Sequence, residues 1–228
     1  MTPTIIIVGA DKGGVGKTTI ARTLIDYCRE KTIGVRAFDT ETPAGALKRF
    51  APAQTEVIDI TKSAGQMQVL DNLDQAAVTI VDIRAGLLTS TLRMLNDTGF
   101  FDRAKEKRLR IIVLHVLGGT VASFTEVRSM SDIMVGATHF IIKNHINENS
   151  FLEWNPELTR QINGLGEEVI DIPKLDELAG EHVDAAACLF GDFVNSTASQ
   201  TLRGHVRHWM KNVTAAYDQV HLAEIIKA

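Results

Sequence analysis

Short runs of apolar residues alternate along the chain with longer segments in which apolar residues recur at helical spacing. The first run, residues 5–8, is β-branched throughout and ends at Gly9, which is typical of a strand buried on both faces. Similar runs predict six further strands, at residues 35–38, 57–60, 78–81, 111–117, 140–142 and 169–173. Helical spacing predicts helices at residues 17–30, 64–76 and 120–134, and a long helix from residue 201 onward. The chain therefore repeats a unit of one strand and one helix.

Strands that alternate with helices form βαβ units, and such units build a mostly parallel sheet with helices on both faces. We therefore predict an α/β protein with three layers, α/β/α, around a mostly parallel central sheet. No stretch rich in proline, glycine and serine divides the sequence, so residues 1–228 are predicted to form a single domain. Residues 147–166 are poorly periodic and carry no prediction.

Composition narrows the classes of protein that the chain can represent. Its 228 residues carry a formal net charge of −4, which excludes a protein that binds nucleic acid through an overall positive charge. The sequence has 2 cysteines, too few for a disulfide scaffold or a cysteine-rich metal cluster, and this favours a reducing compartment. The first residues lack a basic segment followed by a long apolar run, so we expect no targeting segment and a soluble, cytoplasmic protein.

The segment between the first predicted strand and the first predicted helix has the composition of a phosphate-binding loop. Its glycines allow backbone conformations that bring N–H groups close to phosphate oxygens. Lys17 can neutralise the β- and γ-phosphates of a nucleotide, and Thr18 can place its hydroxyl on Mg²⁺. Thr19 is expected to contribute its backbone N–H, and the following helix points its positive N-terminus at the same phosphates.

A second lysine near the start of the loop sets it apart from the standard form. The first glycine of the standard pattern G-x4-G-K-[ST] would fall at Asp11, and a lysine follows instead. The segment resembles the deviant Walker A motif of the ParA/MinD superfamily of ATPases. The residues that carry this resemblance, and that we expect to bind nucleotide, are Lys12, Gly13, Gly14, Val15, Gly16, Lys17, Thr18 and Thr19.

The resemblance implies a fold, cofactors and a state of assembly. It implies a P-loop NTPase fold with ATP and Mg²⁺ as cofactors, and a homodimer that closes around two nucleotides. In that superfamily the early lysine reaches across the dimer to the partner's phosphates, so Lys12 joins Lys17 as a candidate catalytic residue. The alternative interpretation of Lys12 is a solvated loop lysine that serves only its own subunit.

Two carboxylates follow predicted strands on the side where open α/β sheets bind ligands. Asp39 ends the second strand and is a candidate catalytic and metal-binding residue. Glu41 matches the superfamily's second aspartate, which assists the attacking water, and its extra methylene is expected to affect the rate rather than binding. Asp82 follows four apolar residues, as a Walker B aspartate does, and is expected to hold Mg²⁺ together with Thr18. A solvent-facing Glu41 is the alternative.

Weaker signals concern the loop after Asp82 and the base of the nucleotide. Arg84 stands where the superfamily often has a proline, and it either contacts phosphate or a partner subunit or stays in solvent. Asn144 resembles the asparagine that contacts adenine, since its side-chain amide offers both a donor and an acceptor to the base edge. Pro173 resembles the proline that packs near the base. A turn asparagine and a loop proline are the alternatives.

A basic ridge is predicted on the long last helix. Arg203, Arg207 and Lys211 recur every four residues and would lie on one face. Such a ridge can contact DNA phosphates, as the resemblance implies, although a solvated helix face is the commoner arrangement. The end of the chain carries Asp218 and Glu224 and little positive charge, so binding to a membrane is not expected.

The resemblance implies an ATP-binding and ATP-hydrolysing dimeric switch, with slow turnover that a partner stimulates. Its cargo would be a plasmid, a chromosome locus or a protein assembly, reached through non-specific DNA or an adaptor protein, and DNA partition or mobilisation is favoured. A metabolic enzyme similar to dethiobiotin synthetase shares the fold, but that family typically lacks the early Lys-Gly-Gly. A nucleotide-bound scaffold with little hydrolysis is the other alternative, suggested by Glu41 and Arg84.

Overall fold

The computed structural model describes residues 2–117, 134–146 and 168–228 of the chain. The strands in these ranges are β1 Thr4–Gly9, β2 Val35–Asp39, β3 Thr55–Val57, β4 Val78–Asp82, β5 Arg110–Leu117, β6 Thr138–Asn144 and β7 Glu168–Ile172. The α-helices are α1 Lys17–Glu30, α2 Ala46–Phe50, α3 Ser63–Leu70, α4 Leu88–Asp97, α5 Phe100–Lys105, α6 Glu177–Ala186, α7 Phe190–Val194, α8 Gln200–Gln219 and α9 Leu222–Lys227. A short 3₁₀-helix spans Leu73–Gln75.

The seven described strands form one parallel sheet in the order β3-β2-β4-β1-β5-β6-β7. β1 lies in the middle of the sheet and pairs with β4 on one side and β5 on the other. Every residue of β1 is buried, as its continuous apolar run predicts. The predicted α/β class with a mostly parallel sheet is confirmed.

Apolar side chains cover both faces of this sheet. Along β1, Ile6 and Val8 pack in one apolar cluster and Ile5 and Ile7 in another, because successive strand residues point to opposite faces. The first cluster includes residues of α1 and α8, and the second includes residues of α4 and α5. Helices therefore lie on both sides of the sheet, and the three-layer arrangement is confirmed.

Parallel pairing brings the carboxyl ends of the central strands to one edge of the sheet. Val8 pairs in register with Asp82, and Asp39 pairs with Asp82 from the other side. The loop after β1 and the carboxylates at the ends of β2 and β4 therefore meet at this edge, which is where open α/β sheets bind ligands.

One strand differs in extent from its prediction. The strand predicted at residues 57–60 is found at Thr55–Val57, where it pairs with β2. Ile58 and Ile60 are buried but follow the strand. The two residues are apolar because they are buried in the core. The apolar pattern alone does not distinguish such buried residues from residues of a paired strand.

Predicted helices are confirmed to different extents. The helix at residues 17–30 has the predicted bounds. The helix predicted at residues 64–76 ends at Leu70, and Asp71 and Asn72 separate it from the 3₁₀-helix. Aspartate and asparagine side chains compete for backbone hydrogen bonds, which disfavours a helix interior at these two positions.

The long C-terminal helix is confirmed as α8. Its buried residues are Leu202, Val206, Trp209, Val213 and Tyr217. His221, with a φ of 53°, breaks the helix and turns the chain into α9. The helix predicted at residues 120–134, apart from its last residue, and the stretch 147–166 lie outside the described residues. Within the described ranges, no helix combines the length and the apolar character that crossing a membrane requires.

Candidate phosphate-binding site

The loop between β1 and α1 depends on glycine at two positions. Gly14 and Gly16 have positive φ angles of 73° and 87°, a region that residues with a Cβ atom rarely adopt. Gly16 is also packed tightly, because a Cβ atom there would lie 2.1 Å from Nδ2 of Asn144. Position 16 therefore needs glycine both for its backbone angle and for the absence of a side chain.

Lys17 begins α1 and is buried beneath the loop. Its Nζ donates a hydrogen bond to the carbonyl oxygen of Lys12 at 3.0 Å. Thr18 and Thr19 follow in the first turn of the helix, where the backbone N–H groups of any helix lack an intrahelical acceptor. A cation and a helix N-terminus thus meet at one place, and this combination attracts anions such as phosphate.

Asp82 joins the end of β4 to the phosphate loop. Its Oδ2 accepts a hydrogen bond from the hydroxyl of Thr18 at 2.7 Å. Burial raises the pKa of the Asp82 carboxyl to about 7, and the nearby charge of Asp39 acts in the same direction, while the Thr18 hydrogen bond opposes it. A divalent cation would compensate this buried negative charge.

The donor atoms at this position fit Mg²⁺, which prefers hard oxygen ligands. Thr18 supplies a hydroxyl and Asp82 a carboxylate. Among the described residues, no group of three or more histidine, cysteine or acidic side chains is arranged to hold a metal ion. Phosphate oxygens of a bound nucleotide and water would be further oxygen ligands for a cation here.

Asp39 holds the loop that follows β2. Its Oδ1 accepts the backbone N–H of Glu41 at 2.9 Å, and its Oδ2 accepts the backbone N–H groups of Leu47 and Lys48 at 2.6 and 3.2 Å. Both carboxylate oxygens are thus engaged with the backbone of this loop and of α2. The geometry favours a loop-holding role for Asp39, whereas its catalytic and metal-binding roles stay predictions.

A cavity of about 330 Å³ brings most of the predicted residues together. Its walls come from the phosphate loop and from the ends of β2 and β4. The lining residues are Gly13, Gly14, Gly16, Lys17, Thr18, Thr19, Asp39, Glu41, Asp82, Ile83, Arg84, Ala85 and Ile146. Of the two predicted loop residues that do not line this cavity, Lys12 is exposed and Val15 is buried. A phosphate group in this cavity would meet the side chains that the sequence singles out.

A second cavity, of about 360 Å³, adjoins the first and shares Thr19 and Ile146 with it. Asn144 and Pro173, the two residues predicted to meet the base, both line this second cavity. Nδ2 of the buried Asn144 donates to the carbonyl oxygen of Val15 at 3.0 Å. Asn144 therefore braces the phosphate loop with one N–H of its amide, and its oxygen and second N–H could still serve a base edge.

Arg22 also lines the second cavity, and no sequence motif singles it out. Its guanidinium lies between the rings of Phe50 and Phe190, 3.7 and 4.1 Å from their centroids. Nη2 donates to the carbonyl oxygen of Cys188 at 2.8 Å, and burial lowers the pKa of Arg22 to about 10. The sequence around Arg22 is mostly apolar, and a positive charge there is the one signal of its role. Its ring partners lie far away along the chain.

The predicted basic ridge on α8 is only partly exposed. Arg203 is half-buried, whereas Arg207 and Lys211 are exposed and line a third cavity of about 510 Å³. The same cavity is lined by acidic residues of α1 and α7, namely Asp26, Glu30 and Asp192. The ridge therefore lies in surroundings of mixed charge, and its contact with DNA stays a prediction.

The fold and the phosphate loop define the class of the protein. The parallel sheet with helices on both faces, and the glycine-rich loop between its central strand and α1, constitute the three-layer α/β/α P-loop fold.

Several solved structures are similar in fold to this chain. MinD, a cell division protein of Aquifex aeolicus, matches with a TM-score of 0.54 over 91% of this chain and 96% of that chain, at 14% sequence identity. A plasmid partition protein of Borrelia burgdorferi matches with a TM-score of 0.52 over 96% and 99%, at 12% identity. A nucleotide-binding protein of Archaeoglobus fulgidus in complex with ADP has a TM-score of 0.53, over 81% and 87%, at 14% identity. These likenesses show that the chain has the fold that the resemblance implies.

Comparison of sequences adds one distant relative. No protein-family model matches the chain. Protein MobD of Acidithiobacillus ferrooxidans is 23% identical over 161 residues, which make up 67% of this chain and 69% of MobD.

Proposed function

We propose that the chain binds ATP with Mg²⁺, hydrolyses it slowly and acts as a homodimeric switch. The contact between Thr18 and Asp82, 2.7 Å between their oxygens and beside the buried Lys17, carries this proposal. A loop hydroxyl and a strand carboxylate within reach of one cation, next to a phosphate loop, are the parts with which P-loop NTPases hold nucleotide and Mg²⁺.

Each residue of the cavity receives a role in this proposal. The N–H groups of the loop glycines and of Thr19, with the ammonium of Lys17, bind the phosphates. Thr18 and Asp82 hold Mg²⁺, which neutralises negative charge on the phosphate oxygens when it is bound. Asn144 and Pro173 border the base in the second cavity, whose shared wall with the first allows one nucleotide to span both.

Glu41 orients the attacking water in this proposal, and Asp39 positions Glu41. The support is that Glu41 lines the phosphate cavity while Asp39 fixes its backbone N–H at 2.9 Å. The Glu41 side chain is exposed, so it must lose conformational freedom before it can act. This cost favours slow turnover that accelerates when a partner orders the loop.

Lys12 supplies the cross-subunit contact of the proposed dimer. The two loop lysines differ in burial, since Lys17 is buried and Lys12 is exposed. Lys17 therefore suits the nucleotide of its own chain, and Lys12 suits a nucleotide on a facing chain. Hydrolysis would reopen the dimer and change its affinity for DNA or an adaptor protein. DNA partition or mobilisation is the role that we favour, supported by the shared fold with a plasmid partition protein.

ATP turnover, measured with and without DNA, tests the proposal. We expect slow phosphate release that requires Mg²⁺ and is lost in Lys17→Ala. The exposed Lys62 provides the matched control, Lys62→Ala, which should turn over ATP at the rate of the unchanged protein. Turnover only with a small carboxylate substrate would instead favour a metabolic enzyme. Tight ATP binding without turnover under any condition would favour a scaffold.

A further inference from the structure

Thr40 lies between Asp39 and Glu41 and is almost completely buried, with 2% of its surface exposed. Its backbone N–H donates to the carbonyl oxygen of Asp82 at 3.1 Å. Since Asp39 and Asp82 form the last paired residues of β2 and β4, this bond extends the parallel ladder by one residue.

The next bond of a parallel ladder would join the N–H of Arg84 to the carbonyl oxygen of Thr40. The Arg84 N–H donates instead to the Thr40 hydroxyl, with 2.7 Å between Arg84 N and Thr40 Oγ1. The same hydroxyl donates to the carbonyl oxygen of Asp82 at 3.1 Å. A side-chain hydroxyl thus replaces a main-chain carbonyl, and the ladder ends where the two loops enter the phosphate cavity.

Asp11 holds the other end of the segment that begins at Arg84. Its Oδ1 accepts the backbone N–H of Leu88 at 3.0 Å, and its Oδ2 accepts the hydroxyl of Thr89 at 2.6 Å. Asp11 belongs to the phosphate loop, at the position of the standard loop's first glycine. Residues 84–87 are therefore tied to the loop after β2 at one end and to the phosphate loop at the other.

We infer that Thr40 is a positioning residue for ATP hydrolysis, because its hydroxyl ties the backbone of Arg84, on the wall of the phosphate cavity, to the loop that carries Glu41. Glu41 and Arg84 both line this cavity, whereas Thr40 does not and acts through the two loops. The inference rests on the proposed function and names a residue that controls its rate.

Thr40→Val tests this role, because it keeps the β-branched shape and removes the hydroxyl. The Arg84 N–H then loses the acceptor that it has in the structure. We expect kcat for ATP to fall about 10- to 100-fold, since displacements near 1 Å at a reacting centre cost up to this much. The affinity for ADP should change less than about threefold, because ground-state binding is preserved. Thr40→Ser keeps the hydroxyl and should recover most of the turnover.

Thr55→Val is the matched control. Thr55 is also 2% exposed, and its Oγ1 has no hydrogen-bond partner among the described residues. The same substitution at this position removes a buried hydroxyl without removing a hydrogen bond, so turnover should stay within about twofold of the unchanged protein.

Hydrogen exchange separates failure of this inference from failure of the proposed function. In Thr40→Val, amide exchange in peptides that cover residues 83–88 should accelerate at least about tenfold, because local opening there becomes easier. Unchanged exchange in that segment, or unchanged kcat in a protein that hydrolyses ATP, overturns the role of Thr40. A fall in ADP affinity by the same factor as kcat, together with a lower Tm, also overturns it, since the hydroxyl would then only hold the fold together. If the unchanged protein hydrolyses no ATP, the proposed function fails, and exchange alone then decides whether Thr40 holds the loop.

Discussion

The side-chain amide of Asn144 donates to the carbonyl oxygen of Val15, and the carboxylate of Asp39 accepts three backbone N–H groups. The hydroxyl of Thr40 donates to the carbonyl oxygen of Asp82 and accepts the backbone N–H of Arg84. At the scale of single residues, these polar side chains around the cavity thus form hydrogen bonds with the backbone and are not engaged with a ligand alone. These hydrogen bonds determine the shape of the loops that would meet a nucleotide, so their removal should change binding or rate without a change of any phosphate ligand.

Gly16→Ala tests the geometry of the phosphate loop. The positive φ of 87° and the Asn144 amide 2.1 Å from a new Cβ atom oppose the substitution independently. We expect the free energy of unfolding to fall by at least about 1–2 kcal/mol, the cost of a left-handed backbone for alanine, and ADP binding to weaken. Denaturant unfolding and calorimetric titration measure these effects.

The control for this substitution is Gly34→Ala. A Cβ atom on Gly34 would meet no described atom within 4 Å, and its φ is not positive. Its effect on the free energy of unfolding should stay below about 1 kcal/mol. Equal stability and equal ADP affinity for Gly16→Ala and the unchanged protein would contradict the loop geometry.

At the scale of elements, β5 and β6 bring two histidines together, a buried His115 and a largely buried His139. His115 on β5 and His139 on β6 stack with their ring centroids 5.8 Å apart. Burial lowers the pKa of His115 to about 3, and the neighbouring His139 acts in the same direction. Burial also lowers the pKa of His139. The folded sheet therefore favours neutral histidine rings, and protonation of these rings at low pH should destabilise the folded protein.

Unfolding as a function of pH tests this consequence. The ordinary histidine pKa is 6.5, and the folded pKa of His115 lies far below it. The stabilising contribution is therefore complete above pH 6.5 and is lost as the pH falls below 6.5 towards 3. As the pH falls from 6 to 4, the free energy of unfolding of the unchanged protein should fall. In His115→Phe we expect this fall to be smaller, by up to about 1.4 kcal/mol per pH unit.

Because other groups titrate in the same range, the difference between the two proteins is the relevant quantity. His205→Gln, at an exposed histidine of α8, should leave the pH dependence unchanged. His115→Leu repeats the measurement if the phenylalanine is too large for its site. If the free energy of unfolding depends on pH in the same way in the unchanged protein and in both His115 variants, protonation of His115 does not destabilise the fold.

The sheet is more predictable from the sequence than the helices around it. A buried parallel strand is a continuous apolar run, and each predicted run corresponds to a described strand, with β3 shifted towards the N-terminus. Periodicity does not predict helices α2, α4, α5, α6 and α7. They have between 5 and 10 residues, and helices this short owe their stability to packing rather than to their own sequence.

The same distinction holds for the site. Glycine, lysine and threonine are required in the phosphate loop by chemistry, so the sequence reveals them. The contacts of Arg22 with Phe50 and Phe190, and of Asp11 with Thr89, join distant segments and become visible only in the fold. Sequence patterns thus identify the groups that chemistry requires, whereas tertiary structure determines which groups hold them in place.

At the scale of the whole molecule, charge determines how DNA could be bound. The net charge is −4, and Arg207 and Lys211 share a cavity with three acidic residues. One copy of this surface should therefore bind DNA weakly. The proposed dimer would present two copies, and simultaneous binding by both would raise the affinity without any new kind of interaction.

DNA binding in the presence of ATP should therefore depend on the ridge. We expect Arg207→Ala combined with Lys211→Ala to weaken binding to non-specific duplex DNA. The slope of log K against log salt should fall by about 0.9 for each phosphate that the variant no longer neutralises. The exposed Lys62 again supplies the control variant. Affinity and salt slope equal to those of the unchanged protein would place any DNA surface elsewhere.

Light scattering with and without nucleotide tests the central claim most directly. With ATP and Mg²⁺ the mass should correspond to a dimer of the 25.0 kDa chain, and with ADP to a monomer. Lys12→Ala should bind nucleotide but remain a monomer, because it lacks the lysine that we propose reaches the facing nucleotide, whereas Lys17→Ala should lose nucleotide binding itself. A mass that does not respond to ATP would contradict the dimeric switch, and an undiminished ATP-induced dimer of Lys12→Ala would contradict the cross-subunit role of that lysine.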